Sequence, residues 1–347
     1  MPRNHKVAGL VICGLLATGC ADRYERKVDE IFADYSINGM PGAAVMVISD
    51  GKAVLTRTYG LADVGNNVAV TPDTNFRLAS LTKQFTAMCI LMLVDRGELN
   101  LDQSINDVIP GFPDYGKRIT IRNLLQHTSG LIDYEDFVPE DSPVQVRDRG
   151  VLEILRQQTS LYFEPGTEYR YSNSGYSLLA MMVEEASGQS FAQFLRNNIF
   201  EPLEMRNTVA YENGVSTVAN RAFGYTVDGS SVIGSDQSPW SAVLGDGGIY
   251  SSLNDLFRWD QALYTERLIP RTLFEQALVP AIEGYGFGWR IDEFHGQRRT
   301  WHDGSTSGFR NFIQRFPDRR LTVIALTNRR DPPVDPFAEA VAALYLQ

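Results

Sequence analysis

Strand patterns occupy the two ends of this 347-residue chain, and a mostly helical stretch separates them. Residues 42–49 and 53–59 flank Asp50-Gly51-Lys52, a sequence typical of a β-hairpin. Four further strand patterns come late in the chain, at residues 287–291, 298–302, 311–316 and 321–327. Because strands bury their apolar faces by joining a sheet, we expect one sheet built from both ends of the chain.

The middle of the chain carries helical patterns, at residues 80–96, 121–127, 151–157 and 175–187. A last helix is predicted to close the chain after Asp335-Pro336, because proline suits the first position of a helix. The prediction is a mixed α+β fold with two subdomains that together make one domain. We expect residues 24–65 and 240–347 to form the sheet subdomain and residues 66–239 to form a mainly helical subdomain.

A serine and a lysine three residues apart, Ser80 and Lys83, open the most apolar of these helical patterns. Residues with this spacing share one helix face, so the lysine amine can reach the serine hydroxyl. A serine hydroxyl needs such a proton acceptor to act as a nucleophile at neutral pH. Residues 81–94 are strongly apolar, and a charged lysine buried there is costly without a partner. Ser80 is therefore a candidate nucleophile, with a solvated first helical turn as the alternative.

A second segment, Tyr171-Ser172-Asn173, follows a turn at Pro165-Gly166 and carries groups that suit the same chemistry. The tyrosine can complete a proton relay, and the asparagine can hold a substrate amide. The alternatives are an ordinary core tyrosine and an asparagine that only caps the helix beginning nearby.

A third segment, His302-Asp303-Gly304, lies at the end of a late strand pattern. A glycine at such a place lets a substrate approach the backbone closely. The alternative is a histidine whose hydrogen bonds are satisfied at a strand end.

The three segments, in this order, resemble the motifs of the class C β-lactamase-like serine hydrolases. That family includes penicillin-binding D-alanyl-D-alanine carboxypeptidases, D-amino-acid amidases and carboxylesterases. The resemblance extends over about residues 25–330, with further matching stretches at residues 124–131, 164–176, 247–252 and 285–289. It implies an antiparallel β-sheet flanked by helices (an α/β sandwich), an inserted helical subdomain, and a site in the cleft between them.

The resemblance also implies a role for each matched residue. Ser80 would attack the substrate carbonyl, while Lys83 and Tyr171 would share the role of base. The backbone N–H groups of Ser80 and Ser305 would form the oxyanion hole. Asn173 would bind the amide on the acyl side of the substrate, and water would then hydrolyse the acyl-enzyme.

The third segment departs from the true β-lactamases, since His302 replaces a lysine and Asp303 replaces a threonine. We expect both, with Gly304, to contact the substrate, and a neutral imidazole beside an aspartate binds a carboxylate poorly. The sequence therefore favours an esterase or a D-amino-acid peptidase or amidase. The alternatives are a β-lactamase or D-alanyl-D-alanine carboxypeptidase, and a non-catalytic, lipid-anchored protein that binds peptidoglycan or lactams.

Charge and motif content exclude several other classes. The net charge of −10 argues against nucleic acid as a partner. The resemblance implies a small-molecule or peptide substrate with an ester, amide or lactam bond. The chain has no G-x-S-x-G, H-E-x-x-H or C-x-x-C sequence, and its four histidines lack metal-ligand spacing. We therefore expect neither a cofactor nor a metal.

The N-terminus is typical of an exported protein. Arg3 and Lys6 precede an apolar run over residues 7–19, which is shorter than a membrane span of roughly 20 residues. Residues 1–19 are thus predicted to be a signal peptide. Residues 17–20 resemble a bacterial lipobox, so we expect lipidation at Cys20 in the periplasm or cell envelope, at the outer membrane if the cell has two. The alternative is a signal peptide that is simply cleaved.

Overall fold

A computed structural model describes residues 15–347 of the protein, with side chains described from residue 23 onward. Most of the predicted signal peptide, residues 1–19, and the side chain of Cys20 lie outside the described residues, so both expectations stay predictions. Within residues 15–347, no helix has the length and apolar character needed to cross a membrane.

The strands of the described chain are β1 Ala43–Ser49, β2 Lys52–Tyr59, β3 Leu61–Asp63, β4 Val68–Ala69, β5 Phe76–Arg77, β6 Val209–Ala210, β7 Tyr225–Asp228, β8 Ser231–Gly234, β9 Ile249–Ser251, β10 Arg290–Phe294, β11 Gln297–Thr306, β12 Phe309–Phe316 and β13 Leu321–Thr327. Its α-helices are α1 Leu15–Ile31, α2 Lys83–Asp95, α3 Ile105–Val108, α4 Ile121–Leu125, α5 Asp148–Arg156, α6 Asn173–Ser187, α7 Phe191–Leu195, α8 Leu244–Gly247, α9 Leu253–Ala262, α10 Arg271–Ala277 and α11 Asp335–Tyr345. Short 3₁₀ turns include Ala79–Thr82 and Tyr134–Phe137.

The main sheet joins the two ends of the chain, as the strand patterns predict. Its order in the described chain is β10-β11-β12-β13-β1-β2, and every neighbouring pair is antiparallel. The join is the pairing of β1 with β13, in which Ala43 faces Thr327 and Ser49 faces Leu321. The expected α+β fold with an antiparallel sheet is confirmed.

Alternation along the strands divides the core into two layers. On β1, Val45 and Val47 point to the face that α1 and α11 cover, whereas Met46 and Ile48 point to the opposite face. Successive side chains of a strand point to opposite faces, so a strand buried on both sides reads as a continuous apolar run. The residues of β1 are accordingly buried from Ala43 to Ile48.

Helix α2 lies at the centre of the second layer. Its residues from Lys83 to Leu93 are all buried, and a helix that is apolar on all sides needs neighbours on all sides. Helices α6 and α10 are among those neighbours. The predicted helical stretch also contains short strands, since β5 and β6 pair with β9, and β7 forms a hairpin with β8. The predicted subdomain boundaries stay predictions.

Strand β11 runs further than its sequence pattern indicates and passes through the third motif to Thr306. Its pairing with β10 ends at Trp301, so residues 302–306 keep only β12 as a strand neighbour in the described chain. A Cβ atom on Gly304 would lie 2.1 Å from the carbonyl oxygen of Leu78. Only glycine permits this approach, which brings the end of β11 against the turn that carries Ser80.

Candidate active site

Ser80 lies in the 3₁₀ turn Ala79–Thr82, immediately before α2. The sequence predicted an α-helix from residue 80, and the regular helix instead begins at Lys83. Ala79 adopts a positive φ of 51°, a conformation that costs a non-glycine residue of order 1–3 kcal/mol. Such strain persists where the surrounding contacts hold it, and here it presents the partly exposed side chain of Ser80 at the start of a buried helix.

The amine of Lys83 is fully buried and makes three hydrogen bonds. It lies 3.1 Å from Ser80 Oγ, 2.8 Å from Asn173 Oδ1 and 2.9 Å from the carbonyl oxygen of Asp246. The last two atoms can only accept, so a neutral amine keeps both bonds and turns its lone pair towards Ser80. Burial lowers the pKa of Lys83 to about 8, although the charge of Asp246 opposes this shift.

Asn173 is the first residue of α6, and Ser172, not Asn173, caps this helix by accepting from the backbone N–H of Gly175. The alternative that Asn173 serves only as a cap is therefore wrong. Its side chain instead accepts from Lys83 and donates to Glu135 Oε1 at 2.9 Å.

Two acidic residues that sequence reasoning missed lie beside this network. Glu135 contacts Asn173, and Asp246 accepts a 2.9 Å hydrogen bond from the hydroxyl of Tyr134. Burial raises the pKa of each carboxyl to about 7, and the charge of Lys83 opposes the rise in both. The sequence did offer a clue to both residues, because they lie next to stretches that match the family. Asp246 immediately precedes residues 247–252, and Glu135 comes four residues after residues 124–131.

Tyr171 lies next to the lysine, with the Lys83 amine 4.9 Å from the centre of its ring. Its buried hydroxyl has no hydrogen-bond partner of normal geometry within the described part of the chain. Burial raises the pKa of this phenol above its ordinary value, and the neighbouring Ser80 side chain opposes the rise. The resting side chain is therefore a neutral phenol that holds its proton.

His302 is fully buried, and its hydrogen bonds define its tautomer. Its Nδ1 lies 2.6 Å from the carbonyl oxygen of Asp303, which can only accept, so Nδ1 carries the proton. Its Nε2 must then accept from the hydroxyl of Tyr285 at 2.8 Å. Burial lowers the pKa of His302 to about 4, and the ring is neutral at pH 7.

Asp303 pairs directly with Phe312, whose side chain packs in the layer that α1 and α11 cover. Paired residues share a face, so the Cβ of Asp303 points to the opposite side of the sheet from His302. Its carboxylate oxygen nevertheless lies 3.9 Å from His302 Nδ1. The structure thus buries His302 and leaves the side chain of Asp303 half-exposed, and neither residue lines the cleft above Ser80 as expected. Their part in substrate binding stays a prediction.

A cleft of about 70 Å³ opens above Ser80. Its walls combine residues of the three sequence motifs with residues that the motifs did not indicate. They are Arg77, Ala79, Ser80, Tyr134, Glu135, Asn173, Ser238, Trp240, Asp246, Gly247, Ser305 and Thr306. Ser305, expected to supply an oxyanion-hole N–H, therefore shares this cleft with Ser80, and Gly304 lies beside it on β11.

Arg290 is a cation near the site that sequence reasoning also missed. Its guanidinium carbon lies 5.9 Å from the centre of the Tyr171 ring and 5.6 Å from that of Tyr285. Its buried Nε has no hydrogen-bond partner among residues 15–347. The positive charge of Arg290 acts on the site, because it opposes the rise in the pKa of Tyr171.

The sheet, the helical layer and the contact between the partly exposed Ser80 and the buried Lys83 are those of a serine hydrolase. A family model described as Beta-lactamase matches residues 26–347, and the chain belongs to this family. The resemblance inferred from the three motifs is therefore confirmed.

Named relatives and solved structures agree with this family. The chain is 34% identical over 308 residues to penicillin-binding protein 4* of Bacillus subtilis (strain 168), covering 83% of this chain and 68% of that protein. It is 31% identical over 310 residues to a D-aminopeptidase of Brucella canis, covering 83% of this chain but only 56% of that protein. The octameric penicillin-binding protein homologue from Pyrococcus abyssi has a TM-score of 0.83 at 26% identity, covering 94% of this chain and 77% of that one.

Proposed function

We propose that the protein hydrolyses the amide or ester bond of small D-aminoacyl substrates that carry a free amine, through an acyl-enzyme on Ser80. The observation that carries this proposal is the position of Glu135. Its carboxyl lines the same cleft as Ser80 and lies 2.9 Å from the side-chain nitrogen of Asn173. An ammonium group entering the cleft would meet a carboxylate there.

The first step of the proposed reaction is attack by Ser80 on the substrate carbonyl carbon. The neutral amine of Lys83 takes the hydroxyl proton as the Oγ–C bond forms, which the 3.1 Å contact and the lowered pKa of Lys83 support. The negative charge that develops on the carbonyl oxygen is stabilised by the backbone N–H groups of Ser80 and Ser305. Each such donor is worth about 10²–10³ in rate.

Tyr171 is assigned the next proton transfers, because its phenol is protonated at rest. It donates to the leaving nitrogen or oxygen as the C–N or C–O bond breaks, and the Lys83 ammonium returns a proton to it. Water then attacks the acyl-enzyme, gives a proton to the Lys83–Tyr171 pair, and releases the acid as Ser80 regains its hydroxyl proton. Protons and bonds balance over the cycle.

The free amine is the feature that Glu135 would recognise. Burial raises the pKa of this carboxyl to about 7, so a cationic ligand stabilises its charged form and gains a charge-assisted hydrogen bond. Asn173 would bind the carbonyl or amide next to the amine. The D configuration is proposed from the D-aminopeptidase relative.

The test compares matched substrates on the full chain. We expect kcat/KM for D-alanyl p-nitroanilide to exceed the values for its N-acetyl derivative and its L enantiomer by at least about tenfold, since a hydrogen bond to a charged group is worth about 1.5–3 kcal/mol. Intact-mass analysis should show one acyl adduct, on Ser80. Equal rates for the free and acetylated amines would contradict the amine specificity.

A second candidate, a penicillin-binding D-alanyl-D-alanine carboxypeptidase or β-lactamase, is favoured by one observation. The buried Nε of Arg290 lacks a partner, and a guanidinium near Tyr171 suits the carboxylate of a penicillin or of a C-terminal D-alanine. A clear preference for nitrocefin over the amine-bearing D-aminoacyl substrates would support this candidate. Labelling by a fluorescent penicillin without turnover would indicate a non-catalytic binder.

We further propose export to the bacterial cell envelope with a lipid on Cys20. The short apolar run over residues 7–19 and the lipobox-like residues 17–20 support this proposal. A lipid anchor would keep the enzyme among envelope substrates such as D-amino-acid peptides.

A further inference from the structure

His127 touches three consecutive residues of the segment that carries the second motif. Its carbonyl oxygen accepts from the backbone N–H of Arg170 at 3.0 Å. Its ring lies 4.3 Å from the ring of Tyr171, tilted by 37°. Its Nδ1 accepts from the backbone N–H of Ser172 at 3.1 Å. One side chain and its own peptide group therefore fix the position of this short segment.

The contact with Ser172 continues into the active site. Ser172 caps α6, and the next residue, Asn173, places its side chain between Lys83 and Glu135. A hydrogen bond that holds the cap residue thus sets where the helix begins and where the Asn173 amide lies. On the other side of Ser172, the ring of His127 packs against Tyr171 and holds it beside the Lys83 amine.

The chemical state of His127 suits a supporting role. The residue is fully buried, and in the described chain its ring is hydrogen-bonded to the backbone N–H of Ser172 and not to Ser80 or Lys83. Because Nδ1 accepts from an N–H group, the proton of the neutral ring lies on Nε2. That Nε2 has no hydrogen-bond partner in the part of the chain that the structure describes. The unpaired donor costs stability, so packing alone gives no reason for a histidine here.

We propose that His127 is a positioning residue for the acyl-transfer reaction, which holds Tyr171 and Asn173 against Lys83 and Ser80 through its Nδ1 and its ring. This inference rests on the proposed function of Ser80 as the nucleophile. The hydrogen bond from Ser172 to His127 is the contact whose loss would displace Tyr171 and Asn173. A displacement of about 1 Å in such a group costs about 10²-fold in rate.

Three substitutions separate the contributions of His127. His127→Asn keeps an acceptor at the position of Nδ1 and tolerates the positive φ of 57°. His127→Phe keeps a ring for stacking and removes the acceptor. His127→Gly accepts the same φ but supplies neither group, and it replaces the Phe variant if that protein does not fold. The matched control is Tyr115→Phe, which removes another buried hydrogen bond, 2.7 Å to the carbonyl oxygen of Leu155.

The readouts are the rate of Ser80 labelling by a fluorophosphonate, kcat and KM with a p-nitrophenyl ester, and Tm. We expect His127→Asn to label within about fivefold of wild type and His127→Phe or His127→Gly to label about 10²-fold more slowly, with the loss mainly in kcat. Tyr115→Phe should lower Tm without slowing labelling.

Two results would overturn the inference: wild-type labelling rates in folded His127→Phe or His127→Gly, or equal losses in those variants and in His127→Asn. Failure of wild type to label at all would instead refute the proposed function.

Discussion

The amine of Lys83 lies 2.8 Å from Oδ1 of Asn173, so a hydrogen bond joins the first residue of α2 to the first residue of α6. The nitrogen of the same amide donates to Glu135 at 2.9 Å. An amide side chain has one acceptor oxygen and one donor nitrogen, and these two partners fix its orientation. Asn173 therefore connects the proposed base with the carboxylate proposed to bind the substrate amine.

Ser80→Ala and Lys83→Ala should each abolish turnover while the fold persists. The 3.1 Å contact makes the two side chains one unit, and residues that act as a unit lose their rate together. The double variant should therefore be little worse than either single variant. The measurement is kcat/KM with a p-nitrophenyl ester, alongside circular dichroism. Full activity in folded Ser80→Ala protein would show that another group is the nucleophile.

Local sequence patterns sufficed to place several residues of the site. The i, i+3 spacing of Ser80 and Lys83 predicted their contact, because it depends only on local helical geometry. The contacts of Glu135 and Asp246 could not be predicted in this way. Glu135 reaches Asn173 across 38 residues, and the carbonyl of Asp246 reaches Lys83 across 163 residues. Such pairs depend on how the layers pack, which one-dimensional periodicity does not encode.

The third motif shows a different limit. Gly304 suggested a strand end, yet β11 continues through it because its pairing with β12 extends to Thr306. The glycine is needed because the Leu78 carbonyl occupies the space of a side chain. Once the strand continues, alternation sends His302 and Asp303 to opposite faces of the sheet. A resemblance of motifs cannot reveal this, since it aligns residues without their orientation.

The rate should depend on pH through Lys83. Its pKa is lowered to about 8, so below that value the amine is mostly protonated and kcat/KM should rise about tenfold per pH unit, levelling off above it. The charge of Asp246 raises this pKa, so Asp246→Asn should move the midpoint to lower pH. A neutral ester is the substrate, so that Glu135 does not affect the rate by binding a substrate amine.

The control for this prediction is Asp255→Asn. The carboxyl group of Asp255 is also buried, but it accepts a hydrogen bond from the Thr208 hydroxyl. The midpoint of its pH–rate profile should match that of the wild-type protein. A midpoint unchanged by Asp246→Asn, or moved to higher pH, would contradict the assignment of Lys83 as the base.

The proposed lipid anchor gives a prediction on location. Cys20→Ser should move the protein from the membrane fraction to the soluble periplasmic fraction, because a lipidated cysteine would be its attachment. The measurement is fractionation of cells with an antibody, together with the intact mass of the mature protein. Wild-type protein that is already soluble and begins at Ala21 would show that the signal is only cleaved.

Carboxylate-bearing substrates test the surroundings of Tyr171. Arg290→Gln should lower kcat/KM for nitrocefin about tenfold and leave a neutral ester within about threefold, since a hydrogen bond to a charged group is worth about 1.5–3 kcal/mol. Asp303→Asn should change the ratio of nitrocefin to ester activity little, because its charge acts on Lys83, which serves both substrates alike. Arg298→Gln, which removes an exposed arginine of β11, is the control for the loss of one positive charge. Nitrocefin rates that respond to Asp303→Asn and not to Arg290→Gln would reverse the assignment.

Glu135→Gln gives the sharpest test of the amine specificity. The substitution keeps an acceptor for the Asn173 nitrogen but removes the charge that would pair with a substrate ammonium. We expect kcat/KM for D-alanyl p-nitroanilide to fall about 10–100-fold, the equivalent of one charge-assisted hydrogen bond, while a p-nitrophenyl ester without an amine stays within about threefold. The control is Asp136→Asn, whose carboxylate bonds the Tyr162 hydroxyl and does not line the cleft. Because the charge of Glu135 also raises the pKa of Lys83, which serves both substrates alike, the losses are compared as a ratio at pH 7, where an α-amino group with a pKa of about 7.7–8 is still mostly an ammonium. Equal losses on the two substrates would mean that Glu135 acts on Lys83 and Asn173 alone, and that it does not recognise the substrate amine.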